Sequence, residues 1–146
     1  LREKLFSAFD ITPNETGHRR LYVSRGDAGT RNITNEPEVI ATLEAQGFEV
    51  VLPGTLALAE QLALFNDAAV ICGTSGSGMT NHVFAPKTAT IVEIQPDSYI
   101  NRAHWFSSNV CGQNYVFLFG PAESDRHDYY LPLGKLEAAL TYLTPA

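Results

Sequence analysis

The stretch from Ala68 to Asn81 reads AAVICGTSGSGMTN, an apolar run that passes directly into a glycine-rich segment. A continuous apolar run of this kind is typical of a central strand in a parallel sheet, where both faces of the strand are buried. The segment from Gly73 to Gly78 then predicts a tight turn, and the residues after it predict a short helix that ends near Phe84. A strand, a turn and a helix in this order form the repeating unit of α/β domains.

Strands and helices alternate on both sides of this stretch. Apolar runs predict further strands at residues 20–24, 48–52, 90–94 and 115–119. Amphipathic patterns predict helices at residues 36–46, 56–65, 99–108 and 133–143, the second of them with Thr55 as its N-cap. Signals for hairpin turns are absent, so right-handed crossovers must join the strands. The sequence therefore predicts an α/β fold with a Rossmann-like, doubly wound parallel sheet of about five strands.

The first 18 residues differ in pattern from the rest of the chain. Residues 1–6 have the pattern of an amphipathic helix that began upstream, and residues 11–18 are polar and contain turn formers. This start has neither the apolar core nor the cleavage site of a signal peptide. We therefore expect residues 1–18 to be the end of an upstream helix and a linker, and residues 19–146 to be one domain of a longer protein.

Composition excludes several classes of protein. The chain has 146 residues, of which 45% are hydrophobic, and its net charge is −6, so it is globular in composition and lacks the basic stripe of a nucleic-acid-binding protein. No apolar run approaches the roughly 18–20 residues of a membrane span. Abundant alanine and only three lysines favour a bacterial cytoplasmic protein, with any membrane association supplied by upstream segments. Glycosylation sequons at Asn14 and Asn32 leave the Golgi or ER lumen as the alternative.

The cysteines and histidines give no sign of a metal site or a bound cofactor. Cys72 and Cys111 each lie in an apolar run interpreted as a buried strand, which predicts inert thiols. His82 is interpreted as a packing residue on a helix, and the other histidines show no partner at metal-ligand spacing: His18, His104 and His127. Trp105 and Phe106 are interpreted as core or interdomain residues.

The glycine-rich turn is a candidate anion site. Gly76 and Gly78 allow positive φ angles and let a ligand approach the backbone, while the helix that follows presents unpaired N–H groups and the positive end of its dipole. Ser75, Ser77 and Thr80 add hydroxyl donors at the same place. The alternative is a tight strand-to-helix turn that binds no ligand.

Three named motifs do not fit this turn. Asn81 stands where the dinucleotide-binding fingerprint has its third glycine, and no Gly-Lys-Ser/Thr follows as in a P-loop. The hydrolase nucleophile elbow around Ser75 is broken by Ser77, which replaces its last glycine. A small hydrolase that uses either serine would still need a histidine and an acid brought to it by the fold.

Taken in order, the motifs of the chain resemble glycosyltransferase family 61, whose members transfer xylose, N-acetylglucosamine and related sugars. The resemblance covers roughly residues 19–100, with order and spacing both kept. The matching segments are Leu21–Arg25, Arg31, Asn35–Glu36, Gly47–Val50, Ala59–Gln61, Leu64–Phe65, Gly73–Asn81, Phe84–Pro86 and Val92–Ile94. One departure matters, because Ser75 stands where the family usually has histidine.

The resemblance implies one half of a GT-B architecture, in which two Rossmann-like domains enclose the active site. This chain would be the C-terminal half that binds the nucleotide-sugar donor. The missing N-terminal domain would supply most of the glycan acceptor site and the usual catalytic base. The full enzyme would be an inverting transferase that uses a nucleotide sugar, expected to be UDP-linked. The catalytic base cannot be named from these residues.

Five positions are expected to contact the donor in addition to the serines and glycines of the turn. Arg25 and Arg31 follow the first strand, where guanidinium groups can bind a diphosphate. Glu93 is placed at the end of the fourth strand, where a carboxylate can bind ribose hydroxyls, unless it caps a helix or is solvated. Thr80 and Asn81 either bind phosphate or close the first turn of the helix. A rival interpretation is a non-catalytic nucleotide- or polysaccharide-binding module of a capsule-assembly protein, which the departure at Ser75 supports.

Overall fold

The structure is a computed structural model and describes residues 2–143. Its centre is a sheet of five parallel strands in the order β2-β1-β3-β4-β5. The strands are β1 (Arg19–Val23), β2 (Phe48–Val51), β3 (Ala68–Thr74), β4 (Thr90–Pro96) and β5 (Asn114–Gly120). The predicted α/β fold with a doubly wound parallel sheet is confirmed.

Helices cover both faces of the sheet. The α-helices are α1 (Arg2–Ala8), α2 (Glu36–Glu44), α3 (Leu58–Asn66), α4 (Ala103–Cys111) and α5 (Leu133–Thr141), and Pro53–Thr55 and Ser77–Phe84 are 3₁₀ helices. Leu21 and Ile71 point into a core beneath α1, α3 and the second 3₁₀ helix. Tyr22 and Cys72 alternate with them and point into a core beneath α2 and α5. No helix within residues 2–143 is both long and apolar enough to cross a bilayer.

The strand order places a topological switch point between β1 and β3. From β1 the chain moves outward to β2, and it then returns to the other side of β1 to form β3. Connections that leave the sheet in opposite directions open a crevice outside the carboxyl ends of these two strands. Val23 and Gly73 are register partners at this end, so the glycine-rich turn begins at the crevice.

Two predicted helices are shifted along the chain. The helix predicted at 99–108 is α4, because Asn101 Oδ1 accepts the N–H of Ala103 (2.8 Å) at its start and Gly112, with a φ of 69°, ends it. Thr55 is not the N-cap of α3, because it belongs to the 3₁₀ helix that follows β2. Glu60 Oε2 instead accepts the N–H of Ala57 (2.8 Å) at the start of α3.

The shift of α4 corrects the interpretation of its residues. Cys111 is the last residue of the helix and is half-buried, so its predicted place in a buried strand is wrong. Cys72 does lie in a buried strand, and burial raises the pKa of its thiol to about 12. Trp105 and Phe106 are 50% and 66% exposed and are not core residues. On α4 it is instead polar His104 and Ser108 that face the sheet and are buried.

Candidate functional site

A polar pocket occupies the switch point, with a volume of about 390 Å³. We call it the switch-point pocket. Its walls come from the segments that follow β1, β2 and β3. The predicted site residues among its lining are Arg25, Ser77, Gly78 and Asn81, and they are joined by Ser24, Asp27, Gln61 and Thr74. Arg31, Ser75, Gly76, Thr80 and Glu93 do not line it.

The glycines of the turn allow close packing rather than left-handed backbone. Within residues 2–143 the glycines with φ in the left-handed region are Gly47 and Gly112, neither of which is in the turn. A Cβ atom at Gly76 would lie 1.8 Å from Arg25 Nη1, whereas one at Gly78 would lie 3.0 Å from Val23 Cγ1. Gly76 therefore makes room for the arginine, and the positive φ angles that the glycines allow are not adopted in the turn.

Two arginines hold the turn from one side. Arg25 is half-buried and donates from Nη2 to the Thr30 carbonyl (3.2 Å), while its Nε has no hydrogen-bond partner. Arg31 donates from Nη1 to the Ser75 carbonyl (3.1 Å), and its guanidinium carbon lies 5.0 Å from the ring centroid of Tyr99. Backbone of the turn therefore sits directly against both guanidinium groups.

The positive charge of this pair is not neutralised by an ion pair. The salt bridges found within residues 2–143 involve neither Arg25 nor Arg31. Burial lowers the pKa of Arg25, and the nearby positive charge of Arg31 lowers it further. The negative charge of Asp27 opposes this shift only in part. Two cations held close together and without a bound carboxylate create a local positive potential in a protein whose net charge is −6.

The loop that carries Arg31 is fixed by a distant segment. Arg31 has a φ of 58°, an unfavourable value for a residue with a side chain, and its N–H donates to the Arg126 carbonyl (3.1 Å). Thr34 N–H donates to the Tyr129 carbonyl (2.8 Å). The Asn35 amide bonds both the carbonyl and the N–H of Leu131 (2.9 Å each). Strained backbone that neighbouring structure enforces is a common feature of binding sites.

The helix after the turn is a 3₁₀ helix, Ser77–Phe84, where an ordinary helix was expected. Its poorer alignment of peptide groups weakens the predicted dipole contribution. Asn81 Nδ2 donates to the Gly78 carbonyl (3.2 Å) and to Gln61 Oε1 (3.0 Å), so it closes the first turn while also lining the pocket. Thr80 is exposed.

Ser75, within the turn, and Glu93, on the neighbouring strand β4, are both completely buried. Glu93 is the fourth residue of β4, which continues to Pro96, so its predicted place at the strand end is wrong. Its Oε1 accepts from His104 Nδ1 (2.6 Å) and its Oε2 accepts from the Tyr115 hydroxyl. The Ser75 hydroxyl is close enough to influence this carboxylate, although it makes no hydrogen bond of normal geometry.

The charge state of Glu93 follows from two opposing effects. Burial alone would raise the pKa of Glu93, but the hydrogen bonds from His104 and Tyr115, with a smaller contribution from Ser75, hold it below the usual value. Glu93 is therefore an ionised carboxylate inside the fold. It is neither the solvated nor the helix-capping residue of the alternative interpretation, and in this arrangement it does not reach a ribose in the switch-point pocket.

The sequence indicated no metal-ligand partner for His104, and the structure shows that it bonds the Glu93 carboxylate instead. No signal in the sequence marks the pair, since the two residues belong to different elements and α4 was placed four residues too early. His82 is buried as a packing residue, as predicted, and bonds Gln113 Oε1 (2.8 Å) and Ser107 Oγ (2.7 Å). Across residues 2–143 no three His, Cys, Asp or Glu side chains gather as ligands for a metal ion.

Comparison with known proteins assigns the family. The family profile described as Glycosyltransferase 61 matches residues 1–92. A beta-1,2-xylosyltransferase of Oryza sativa subsp. japonica is 36% identical over 96 residues, which are 65% of this chain and 16% of that protein. Two alpha-1,3-arabinosyltransferases of the same plant are each 37% identical, over 70 residues (46% of this chain and 12% of that protein) and over 82 residues (53% and 14%). The chain thus spans less than a fifth of the length of these relatives.

Proposed function

The chain belongs to the glycosyltransferase 61 family, and from this premise we propose that residues 19–146 form the donor-binding domain of an inverting glycosyltransferase. The donor would be a nucleotide sugar, UDP-linked, and the acceptor a hydroxyl group of a glycan. The observation that carries the proposal is the pair Arg25 and Arg31, two cations at the switch point of the sheet that have no ion-pair partner among residues 2–143. A second domain of the GT-B kind would close over this pocket.

The diphosphate of the donor would lie in the switch-point pocket. Arg25 would bind its oxygens from one side, and the hydroxyl of Ser77 and the backbone of Gly78 would bind from the other. Arg31 does not line the pocket, so we assign it to holding the turn and to adding charge. Ser75 and Gly76 would support the turn from behind, Asn81 would bind or order it, and the exposed Thr80 would meet the donor only after closure.

The reaction would be a single displacement at the anomeric carbon of the donor. An acceptor hydroxyl attacks this carbon and passes its proton to a base, while the bond to the diphosphate oxygen breaks. Negative charge grows on the leaving diphosphate, and fixed cations at that place stabilise the transition state more than the ground state. Arg25 and Arg31 would make this contribution. The base would come from the second domain.

A titration of the purified chain tests donor binding. Calorimetry should detect binding of UDP, weaker binding of GDP, and the weakest binding of inorganic phosphate. UDP binding without sugar transfer is the expected behaviour of these 146 residues. Failure to bind UDP or GDP would remove the proposal, and robust transfer of sugar by the chain alone would show that the base lies within it.

A non-catalytic binding module is the second candidate. It is favoured by Ser75, whose buried hydroxyl makes no hydrogen bond of normal geometry in the turn that the family match includes. Such a module would bind a nucleotide or a polysaccharide and promote no reaction. Slow hydrolysis of a UDP-sugar by the intact protein, measured by release of UDP, would decide for an enzyme.

The compartment is open to a direct test. Composition favours the bacterial cytoplasm, and the plant relatives fit the alternative of a secretory lumen. Asn14 is exposed, whereas the Asn32 side chain is half-buried and donates to the Ala28 carbonyl (3.0 Å). We propose the bacterial cytoplasm, and a glycan found on Asn14 of the natural protein by mass spectrometry would assign the lumen instead.

A further inference from the structure

A second pocket lies between α4 and the edge strand β5, beyond the residues matched by the family profile. Its volume is about 330 Å³, which is within the range of small-molecule sites. Aromatic rings form its walls and polar groups lie at its rim, and these residues are Trp105, Tyr115, Phe117, Phe119, Asn101 and Arg102. We call it the aromatic pocket.

The aromatic pocket exposes side chains that proteins usually bury. Trp105 is 50% exposed and Phe117 is 54% exposed. Large apolar side chains left partly in water forgo part of the stabilisation that full burial would contribute. Exposed apolar surface that forms a concave, partly polar site is typical of a place where a ligand binds.

The two walls of the pocket are held in place by one buried carboxylate. Glu93 bonds His104, the residue next to Trp105 on α4, and it also bonds Tyr115 on β5. A buried ionised group is costly unless it is fully paired, and an apolar residue at the same place would often be as stable. Its geometric effect here is to fix a helix and a strand on either side of the pocket, so the walls are ordered before any ligand arrives.

The rim of the pocket is ordered as well. Gln95 donates to the carbonyl of Asn101 and accepts from its N–H (2.8 Å each), and Asn101 Oδ1 accepts from the N–H of Ala103 (2.8 Å). These bonds use the acceptor oxygens of both amides. Within the part of the chain that is described, Arg102 is not one of the cations found in ion pairs. Asn101 Nδ2 and the Arg102 guanidinium are hydrogen-bond donors that remain at the rim to meet a ligand.

We propose that the aromatic pocket binds a neutral sugar ring of the glycan acceptor, an inference that rests on the proposed function. The face of a sugar ring carries C–H groups, which pack against the negative face of an aromatic ring, and its oxygens accept hydrogen bonds. A nucleobase could also stack on these rings, so uridine serves as the competing ligand in the test. A cation would need a carboxylate and a phosphate would need more positive charge, and the lining has neither.

The position of the pocket fits an acceptor. β3, which leads into the glycine-rich turn of the switch-point pocket, and β5, which lines the aromatic pocket, are two strand spacings apart, about 10 Å. A glycan of a few units lying on Trp105 can extend from there toward the carboxyl end of β3. The aromatic pocket would then hold a sugar that does not react and orient the one that does.

The sole tryptophan of the protein, Trp105, makes the test direct. Its fluorescence is titrated with xylohexaose and with cellohexaose, using the intact chain. We expect a saturable change with at least one of them, and Phe117→Ala should weaken that binding about threefold to tenfold by removing one aromatic wall while leaving the reporter. Phe106→Ala is the matched control, because Phe106 is 66% exposed on α4, the helix that carries Trp105, and does not line the pocket.

Other occupants give different results. A change in fluorescence with uridine and none with either oligosaccharide would assign a nucleobase. A fluorescence shift that depends on protein concentration, with dimers in sedimentation, would assign the face to a second copy. Equal effects of Phe117→Ala and Phe106→Ala would mean that the sugar binds elsewhere. Each of these outcomes overturns the inference. UDP binding measured on the same samples separates failure of this inference from failure of the proposed function. Arg25→Ala should weaken UDP binding about tenfold or more while leaving oligosaccharide binding unchanged.

Discussion

The switch-point pocket and the aromatic pocket belong to one sheet but are built in opposite ways. At the switch point, polar groups and two arginines that form no ion pair with any described residue lie around the glycine-rich turn. At the edge of the sheet, charge is buried beneath the pocket in Glu93 and the aromatic rings face the solvent. The first arrangement suits an anion and the second a neutral ring. The two substrates of the proposed sugar transfer differ in the same way, since the nucleotide-sugar donor is an anion and the glycan acceptor presents neutral rings.

Loss of an arginine should give the largest difference between the pockets. Arg25→Ala should weaken diphosphate binding by about 1.5–3 kcal/mol, the range for hydrogen bonds to charged groups. Arg31→Ala should fall in the same range because it removes both charge and a support of the turn. The measurement is calorimetry with UDP and with uridine, which lacks the phosphates.

Arg20→Ala is the control for charge, since Arg20 lies in β1 far from the switch point and donates to the Gln46 carbonyl. It should leave UDP affinity unchanged. Equal losses for UDP and uridine in the Arg25 variant would mean that the arginine only supports the fold.

The buried carboxylate should respond to acid. The folded pKa of Glu93 lies below its unfolded value, so its contribution to stability is complete above the unfolded pKa, about 4.3, and is lost as pH falls through the folded pKa. Glu93→Gln should lower the free energy of unfolding by about 1–3 kcal/mol at neutral pH, because it leaves buried donors poorly paired. Denaturant melts of both proteins between neutral and acid pH measure this.

The difference between the Glu93→Gln and native proteins should shrink as the pH falls below that value. A difference that stays constant would mean that the carboxylate is already protonated in the folded protein. The same variant should loosen the aromatic pocket and leave UDP binding nearly intact, which separates the two sites.

Small changes in the turn should give the smallest effects and sharpen the comparison further. Gly76→Ala places a methyl group on the Arg25 guanidinium, so it should weaken UDP binding by about 1 kcal/mol. The flexible arginine can move aside, so the stability of the fold should be kept.

Ser75→Ala should change UDP affinity by less than Gly76→Ala does, since the Ser75 hydroxyl makes no normal hydrogen bond with any described residue. Calorimetry and thermal melts of each variant measure both quantities. An effect of Ser75→Ala as large as that of Arg25→Ala would place the hydroxyl in direct contact with phosphate.

The sequence predicted the sheet and the turn because their signals are local. The apolar runs of β3 and β4 identify buried strands wherever they lie in the fold, and the glycines mark the turn between β3 and the helix. Arg25 was identified for the same reason, since it follows β1 by two residues. The sequence allowed the turn glycines either positive φ or close packing, and only the structure shows that Gly76 serves close packing, with Arg25 beside it.

The rest of the site depends on contacts between distant elements. Glu93 and His104 are paired across β4 and α4, and their residue types alone do not indicate the pair. The helix α4 was misplaced because its apolar residues, Trp105 and Phe106, face outward, which reverses the pattern from which a buried face is predicted. The aromatic pocket was missed for that reason, because the exposure of Trp105 and the burial of His104 are visible only in the structure.

The backbone bonds between the Arg31 loop and the segment around Tyr129 have a consequence for the order of folding. They close a loop of some 95 residues, since Thr34 and Tyr129 are that far apart in the chain. Contacts of such long range form late, because the entropy of closing the loop is lost before the contacts can compensate for it. On the ribosome, β1 to β4 would have emerged before the segment that holds Arg31 in its strained conformation exists. Hydrogen-exchange pulses during refolding should show Thr34 and Tyr129 gaining protection together and after the central strands. Binding competence would then arrive as a separate, final kinetic step.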